Sequence, residues 1–213
     1  MSGWAVLAFA LVSPLCPLSV ALFSARASQH VAITMIAAPL IAAAFARAMS
    51  GRSAHRLAAL ALIDSPIVAA FVFAAILWFW HAPAPYALTF DSVAAYWTMH
   101  VTMIASAVWL WYRLIDDGAR PIEALIASLV STVQMGFLGA LITLAPHPLY
   151  APHFATTQAW NLTPLEDQAL GGAIMWVLGC IAFLAMAMTA LSRLLRSRAP
   201  VADVIAARLR HRH

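Results

Sequence analysis

Apolar residues fall into six long runs, at roughly 4–24, 29–49, 57–80, 92–113, 121–145 and 168–192, separated by short polar breaks. Each run approaches the ~20 residues that an α-helix needs to cross the hydrocarbon layer of a bilayer. The pattern predicts an all-α membrane bundle, a single domain of six transmembrane helices. Pro14 and Pro17 interrupt the first run in SPLCPL. A membrane helix tolerates such breaks where neighbours take up the carbonyls that proline leaves free. The run also lacks the basic start and small-residue cleavage site of a signal peptide, so it reads as a span. No stretch remains for a soluble domain. The longest polar interval, 146–167 (APHPLYAPHFATTQAWNLTPLE), is rich in proline and aromatic residues, as interfacial loops are.

Composition sharpens this picture. The chain is 64% apolar and 9% charged, against roughly 45–50% and 25% in soluble domains, which excludes a water-soluble globular protein. Its 12 basic residues are all arginine. If six spans are laid out in order, Arg47, Arg52, Arg56, Arg113, Arg120, Arg193, Arg196, Arg198, Arg208, Arg210 and Arg212 share one side, and Arg26 stands alone on the other. That split predicts cytoplasmic termini, with 193–213 a basic cytoplasmic tail. The arginines sit in short clusters between apolar runs and make no folded basic face, which excludes nucleic acid as a partner. Cys16 and Cys180 both lie within apolar runs and provide no disulfide framework.

The same layout sorts the histidines. His55, His211 and His213 go with the cytoplasmic arginines, whereas His30, His81, His147 and His153 lie at the opposite surface. His100 lies inside the fourth span, roughly 13 Å below Asp91 at about 1.5 Å per residue. On that helix Tyr96, Met99, His100 and Met103 occupy one arc of about 80°. An imidazole flanked by two thioethers is a soft, neutral ligand set suited to Cu(I). Taken alone, the same stripe reads more readily as packing, with His100 bonded to a backbone carbonyl and the methionines filling gaps. His81, in LWFWHAPAPY, is either an interfacial residue in a turn or a ligand aimed by the stiff loop of Pro83 and Pro85. Trp78 and Trp80 beside it fit an aromatic belt. His30 opens the second span and converges with His81 and His100 if spans two, three and four are neighbours. Met35 lies about 140° around that helix from His30 and reads as packing. His147 and His153 are either ligands at the mouth of the site or solvated loop residues, the latter favoured for His153.

Other features read as structural. Gly136 with Ala140, and Gly171, Gly172, Met175 and Gly179, permit close approach of spans five and six. Thr163, Glu166 and Asp167 precede span six where caps and negative charge are favoured. Asp64, about two turns inside span three, is expected to reach the interface or pair with an arginine such as Arg56.

Five segments in order are more specific than any of these alone: Gln29–His30 with Pro39, Trp80–His81 with Pro83 and Tyr86, His100 deep in the next span, Leu138 to Tyr150, and Pro164 to Trp176. Together they resemble the CtaG family of caa-type cytochrome c oxidase assembly factors, multi-spanning membrane proteins. The resemblance runs from about residue 28 to the end of span six. The chain is shorter than typical members, as though one N-terminal span were missing. Met99–His100 with Tyr96 replaces the family's usual Glu-His preceded by another His. The resemblance implies a role in copper-centre maturation, with His30, His81 and His100 as the polar core.

Residues and resemblance together lead to a non-enzymatic assembly factor of a bacterial inner membrane, holding or passing Cu(I) near the extracytoplasmic face. The metal ligands are expected among His30, His81, His100, Met99, Met103 and His147. The partners are the lipid bilayer and either oxidase subunits or a periplasmic copper donor, with homo-oligomers left open. Two alternatives remain: a haem-binding electron-transfer protein with histidine axial ligands, and a small metal transporter using His100 and Asp64. No nucleophile–base pair or phosphate-cradling glycine loop argues for hydrolytic or phosphoryl chemistry.

Overall fold

The computed structural model describes residues 2–49, 64–116 and 120–210, with side chains through residue 196 apart from that of Met49. Those residues are helical, with turns and no strand. Helices α1 (Ser2–Val12) and α2 (Leu15–Ala21) meet at a 48° bend. After the extended residue Leu22, α3 (Phe23–Val31) continues through a π-helical segment, Ala32–Ala37, into α4 (Ala38–Met49). α5 (Pro66–His81) and the short α6 (Pro83–Asp91) are bent by 69°. α7 (Val93–Ile115), α8 (Pro121–Thr143) and α9 (Pro164–Arg210) complete the bundle. Among the described residues, four helices are long and apolar enough to cross a membrane, or up to 6 spans if each bent pair counts as one.

The apolar runs locate α7 and α8 within two residues, and the differences elsewhere have physical causes. The second span begins at Phe23 rather than residue 29, because Arg26 lies inside the helix and not in a loop. It is only 2% exposed. Of the third run, 57–63 lies outside the described residues, and its helix starts at Pro66, with Pro at the first turn and Ser65 as its cap. Ser65 Oγ accepts from Val68 N. Asp64 therefore stands just before the helix and pairs with Arg113 at 3.1 Å; the suggested Arg56 lies outside the described residues. The last helix does not stop at residue 192 but runs on to Arg210, so the start of the basic tail is helical.

Proline explains the irregularity of the first two spans. Pro14 has no N–H to give to the carbonyl of Ala10, four residues earlier. Gln29 Nε2 supplies that bond from α3 at 2.8 Å, and Cys16 N takes the Ser13 carbonyl next to Pro17. Gln29→Leu is expected to lower stability by about 1–2 kcal/mol, read as a lower thermal unfolding midpoint in detergent. An unchanged midpoint would mean that the Ala10 carbonyl needs no partner. In the second span Pro39 follows a widened turn, in which Ala38 N bonds to Ile33 O, five residues back. Trp111 Nε1 of α7 donates to the Thr34 carbonyl in that turn at 2.7 Å, one of the neighbours' repairs that membrane helices require.

Small residues seat α9 against its neighbours as expected. A Cβ at Gly139 would lie 2.8 Å from Trp176 Cβ, and one at Gly172 would lie 2.8 Å from Thr143 N. Neither space admits a side chain. α3, α7 and α9 begin, and α5 and α8 end, at one end of the bundle, where His30, His81 and His100 are found. The other end carries Arg113 with Asp64, and Arg193 donating to the Ile115 carbonyl.

Candidate metal centre

The histidine end is built by three helices. His30 lies near the end of α3, His81 is the last residue of α5, and His100 lies about 10 Å along α7 from Val93 at 1.5 Å per residue. Their rings meet edge to face. His30 lies 5.8 Å from His81 and 5.6 Å from His100, centroid to centroid. All three are buried, none more than 5% exposed.

Their hydrogen bonds divide the nitrogens. His81 Nδ1 donates to the Leu77 carbonyl at 2.7 Å, and His100 Nδ1 donates to the Tyr96 carbonyl at 2.9 Å, each one helical turn back. Tying one ring nitrogen to a carbonyl fixes the tautomer and leaves Nε2 a lone-pair donor, the arrangement usual around ligating histidines. His100 Nε2 has no hydrogen-bond partner, and neither do Nδ1 and Nε2 of His30. An imidazole buried with both nitrogens unsatisfied is costly unless something else uses them. Met99 and Met103 are buried on α7 beside His100. Met35 is half-buried and packs against the core, as expected. Among the described residues, no group of three or more His, Cys, Asp or Glu side chains is arranged to hold a metal ion as it stands.

The loop between α8 and α9 closes over this end. Tyr150 stacks on Phe23 at 4.2 Å, and its hydroxyl donates to the His81 carbonyl at 2.9 Å. Gln168 ties the loop down, accepting from Leu149 N at 2.6 Å and donating to the Ile142 carbonyl at 3.1 Å. Here the sequence reading of His153 is corrected. It is not a solvated loop residue but 2% exposed, with Nε2 2.7 Å from the Tyr86 hydroxyl and its ring edge-on to Phe90. The apolar, aromatic faces of the loop and α6 enclose it. That burial pushes its imidazole below the ordinary value of 6.5. His147, by contrast, is exposed on the loop and outside the buried trio. Trp80 also departs from the aromatic-belt expectation, being buried with Nε1 bonded to Thr102 Oγ1 at 3.0 Å.

Two buried charges escaped the sequence reading. Asp167 does not cap its own helix. It reaches across to α3, accepting from Phe23 N at 2.6 Å, Ser24 N at 3.1 Å and the Ser24 hydroxyl. The capping box at α9 is made by Thr163 and Glu166, as the spacing suggests. Arg26 is wrapped in rings, its Cζ lying 4.4 Å from the Phe90 centroid, 5.1 Å from Tyr86 and 5.8 Å from Tyr96. Its Nη2 donates to Thr89 Oγ1 at 3.0 Å. An arginine between two apolar runs reads as a loop residue. The ring-bearing pattern Tyr86, Phe90 and Tyr96 was the available signal that it is held inside.

The sequence matches the family model of the cytochrome c oxidase caa3 assembly factors, CtaG, over residues 1–197. The chain belongs to this family. No curated protein and no solved structure matches it. The CtaG match covers both the bent N-terminal helix pair and the histidine end, so the site described above lies wholly within the family's own extent.

Proposed function

We propose that this CtaG-family chain is a non-enzymatic assembly factor for a respiratory cytochrome c oxidase, and that its buried histidine end holds or passes Cu(I). One observation carries this reading: His30, with both ring nitrogens unpartnered, sits between two histidines whose Nδ1 atoms are tied to backbone. Cu(I) accepts neutral nitrogen and thioether donors and is content with low coordination numbers, so a pair such as His30 and His100 suffices where a divalent ion demands more. Copper is the cargo here. His30 and His100 would hold it through their free nitrogens, with Met99 or Met103 as soft neighbours and His81 as the ligand nearest the α5–α6 bend. His147, exposed on the covering loop, would meet the ion before the buried trio.

The chain crosses the bacterial inner membrane six times in this reading, each bent helix pair counting as one span, with both termini cytoplasmic. The arginine split supports that orientation, and burial of Arg26 strengthens it by removing the one exception from the opposite surface. The histidine end then faces the extracytoplasmic side.

The test combines a Cu(I) titration of the detergent-purified protein with its absorption spectrum. Stoichiometric Cu(I) uptake without a Soret band is expected, and a Soret band would favour the haem reading. In cells, His30→Ala or His81→Ala should lower oxidase activity several-fold while the protein accumulates normally. His55→Ala and His211→Ala, assigned to the other side, should leave activity near normal. Equal losses from both groups would remove the argument for the buried trio.

A further inference from the structure

Arg26 lies one helical turn before His30, so both side chains leave α3 on the same face. The Tyr96 ring links the two regions, 5.8 Å from the guanidinium carbon and 4.4 Å from the His100 ring centroid. The guanidinium thus stands one helical turn from His30 and one ring away from His100. Among the described residues no carboxylate forms an ion pair with it. Asp167, the buried acid of this end, takes its hydrogen bonds from the first turn of α3 and not from Arg26. A fixed positive charge with no ion-pair partner among the described residues therefore stands beside the three imidazoles, 2% exposed in a membrane bundle. An ionisable group in such a place is costly to keep. Surrounding rings and Thr89 hold it without neutralising it.

We infer that Arg26 sets the charge selectivity of the histidine site, admitting a monovalent cation and excluding divalent ones such as Zn²⁺. The inference rests on the copper reading and extends it. Imidazole sets bind Zn²⁺ and Cu²⁺ readily, so the ligands alone do not reject them. Coulomb work against a fixed charge scales with the charge of the incoming ion. A divalent ion therefore pays twice what Cu(I) pays, in free energy, at the same position. Arg26 would keep the site clear of zinc and keep Cu(I) loosely enough held to be released.

The experiment uses the full chain purified in detergent. Cu(I) affinity is measured anaerobically against a competing chelator, and Zn(II) affinity in parallel, for the wild type, Arg26→Gln and Arg26→Lys. Where Arg26→Gln tightens Cu(I) by about 10-fold, it should tighten Zn(II) by about 100-fold, since the two free-energy changes stand as one to two. Arg26→Lys keeps the charge and should keep the wild-type preference. Thr89→Asp places a carboxylate against the guanidinium with Arg26 still present, and should reproduce the zinc gain. It separates charge from packing and serves if Arg26→Gln does not fold. A purely structural Arg26 would leave the ratio of the two affinities unmoved in every variant, which overturns the inference while the copper reading stands. Wild-type protein that binds Zn(II) as tightly as Cu(I) overturns it without any variant. If neither the wild type nor the variants take up Cu(I), the copper reading and the inference fall together.

Discussion

His100→Gln should yield a membrane-inserted protein of normal abundance in cells whose oxidase is short of copper. The His100 ring does two separable things. Its Nδ1 donates to the Tyr96 carbonyl, and its buried Nε2 is left without a partner. A glutamine amide can replace the first, so the stability cost should be within about 1 kcal/mol, the scale of a polar contact between membrane helices. It cannot replace the second, because an amide is a poor donor to a soft monovalent metal. Excess copper in the medium should partly restore the oxidase, since mass action offsets a weakened site. The deciding quantity is oxidase copper content at matched levels of the variant and wild type. Full occupancy would return His100 to a packing role.

The largest loss of stability is expected at Asp167, not at any histidine. Its carboxylate is fully buried and accepts from two backbone N–H groups and one hydroxyl at the start of α3. Asp167→Ala strands those donors where water does not reach. Hydrogen bonds to a charged group contribute about 1.5–3 kcal/mol each, and breaking a buried charged set costs about 3–5 kcal/mol. The variant should fail to accumulate, or melt far below the wild type in detergent. Asp167→Asn keeps one acceptor and should fall between the two. Glu166→Ala, one position earlier on an exposed capping box, should have a much smaller effect. Equal melting of the alanine variants at 166 and 167 would show that the tie to α3 does not matter to the fold.

The contrast between Glu166 and Asp167 also shows what was legible in the sequence. A capping box is local, with its partners three positions apart, and its spacing was sufficient to find it. Asp167 reaches a helix start 144 positions away, and no local pattern announces that. The same division holds throughout. Apolar run length placed α7 and α8 closely, and the glycines of α9 pointed to tight packing that the structure bears out. Pro14 announced a broken span, yet nothing near it named Gln29 as the residue that mends the break. Arg26 defeated the run-length argument because rings from α6 and α7 hold its guanidinium inside the bundle. At the candidate site, His30, His81 and His100 were found because polar residues are rare in spans. Their meeting at 5.6–5.8 Å needed the structure. His153 was misread because a proline-rich loop resembles a solvated one until its aromatic residues are seen folded inward.

The widened turn at Ala32–Ala37 has one more consequence. A π turn stores one residue more than an α turn of the same rise. The segments on either side of it are thereby rotated relative to each other by about 100°, the angular step of one residue. Two faces that a regular helix would lock in phase become independent. The outer half can point Arg26 and His30 toward the other histidines, while the inner half turns Ala38, Ile41 and Ala42 into the hydrophobic interior. The span thus works as a coupling between two shafts set at different angles, letting chemistry and packing each choose their own face of a single helix.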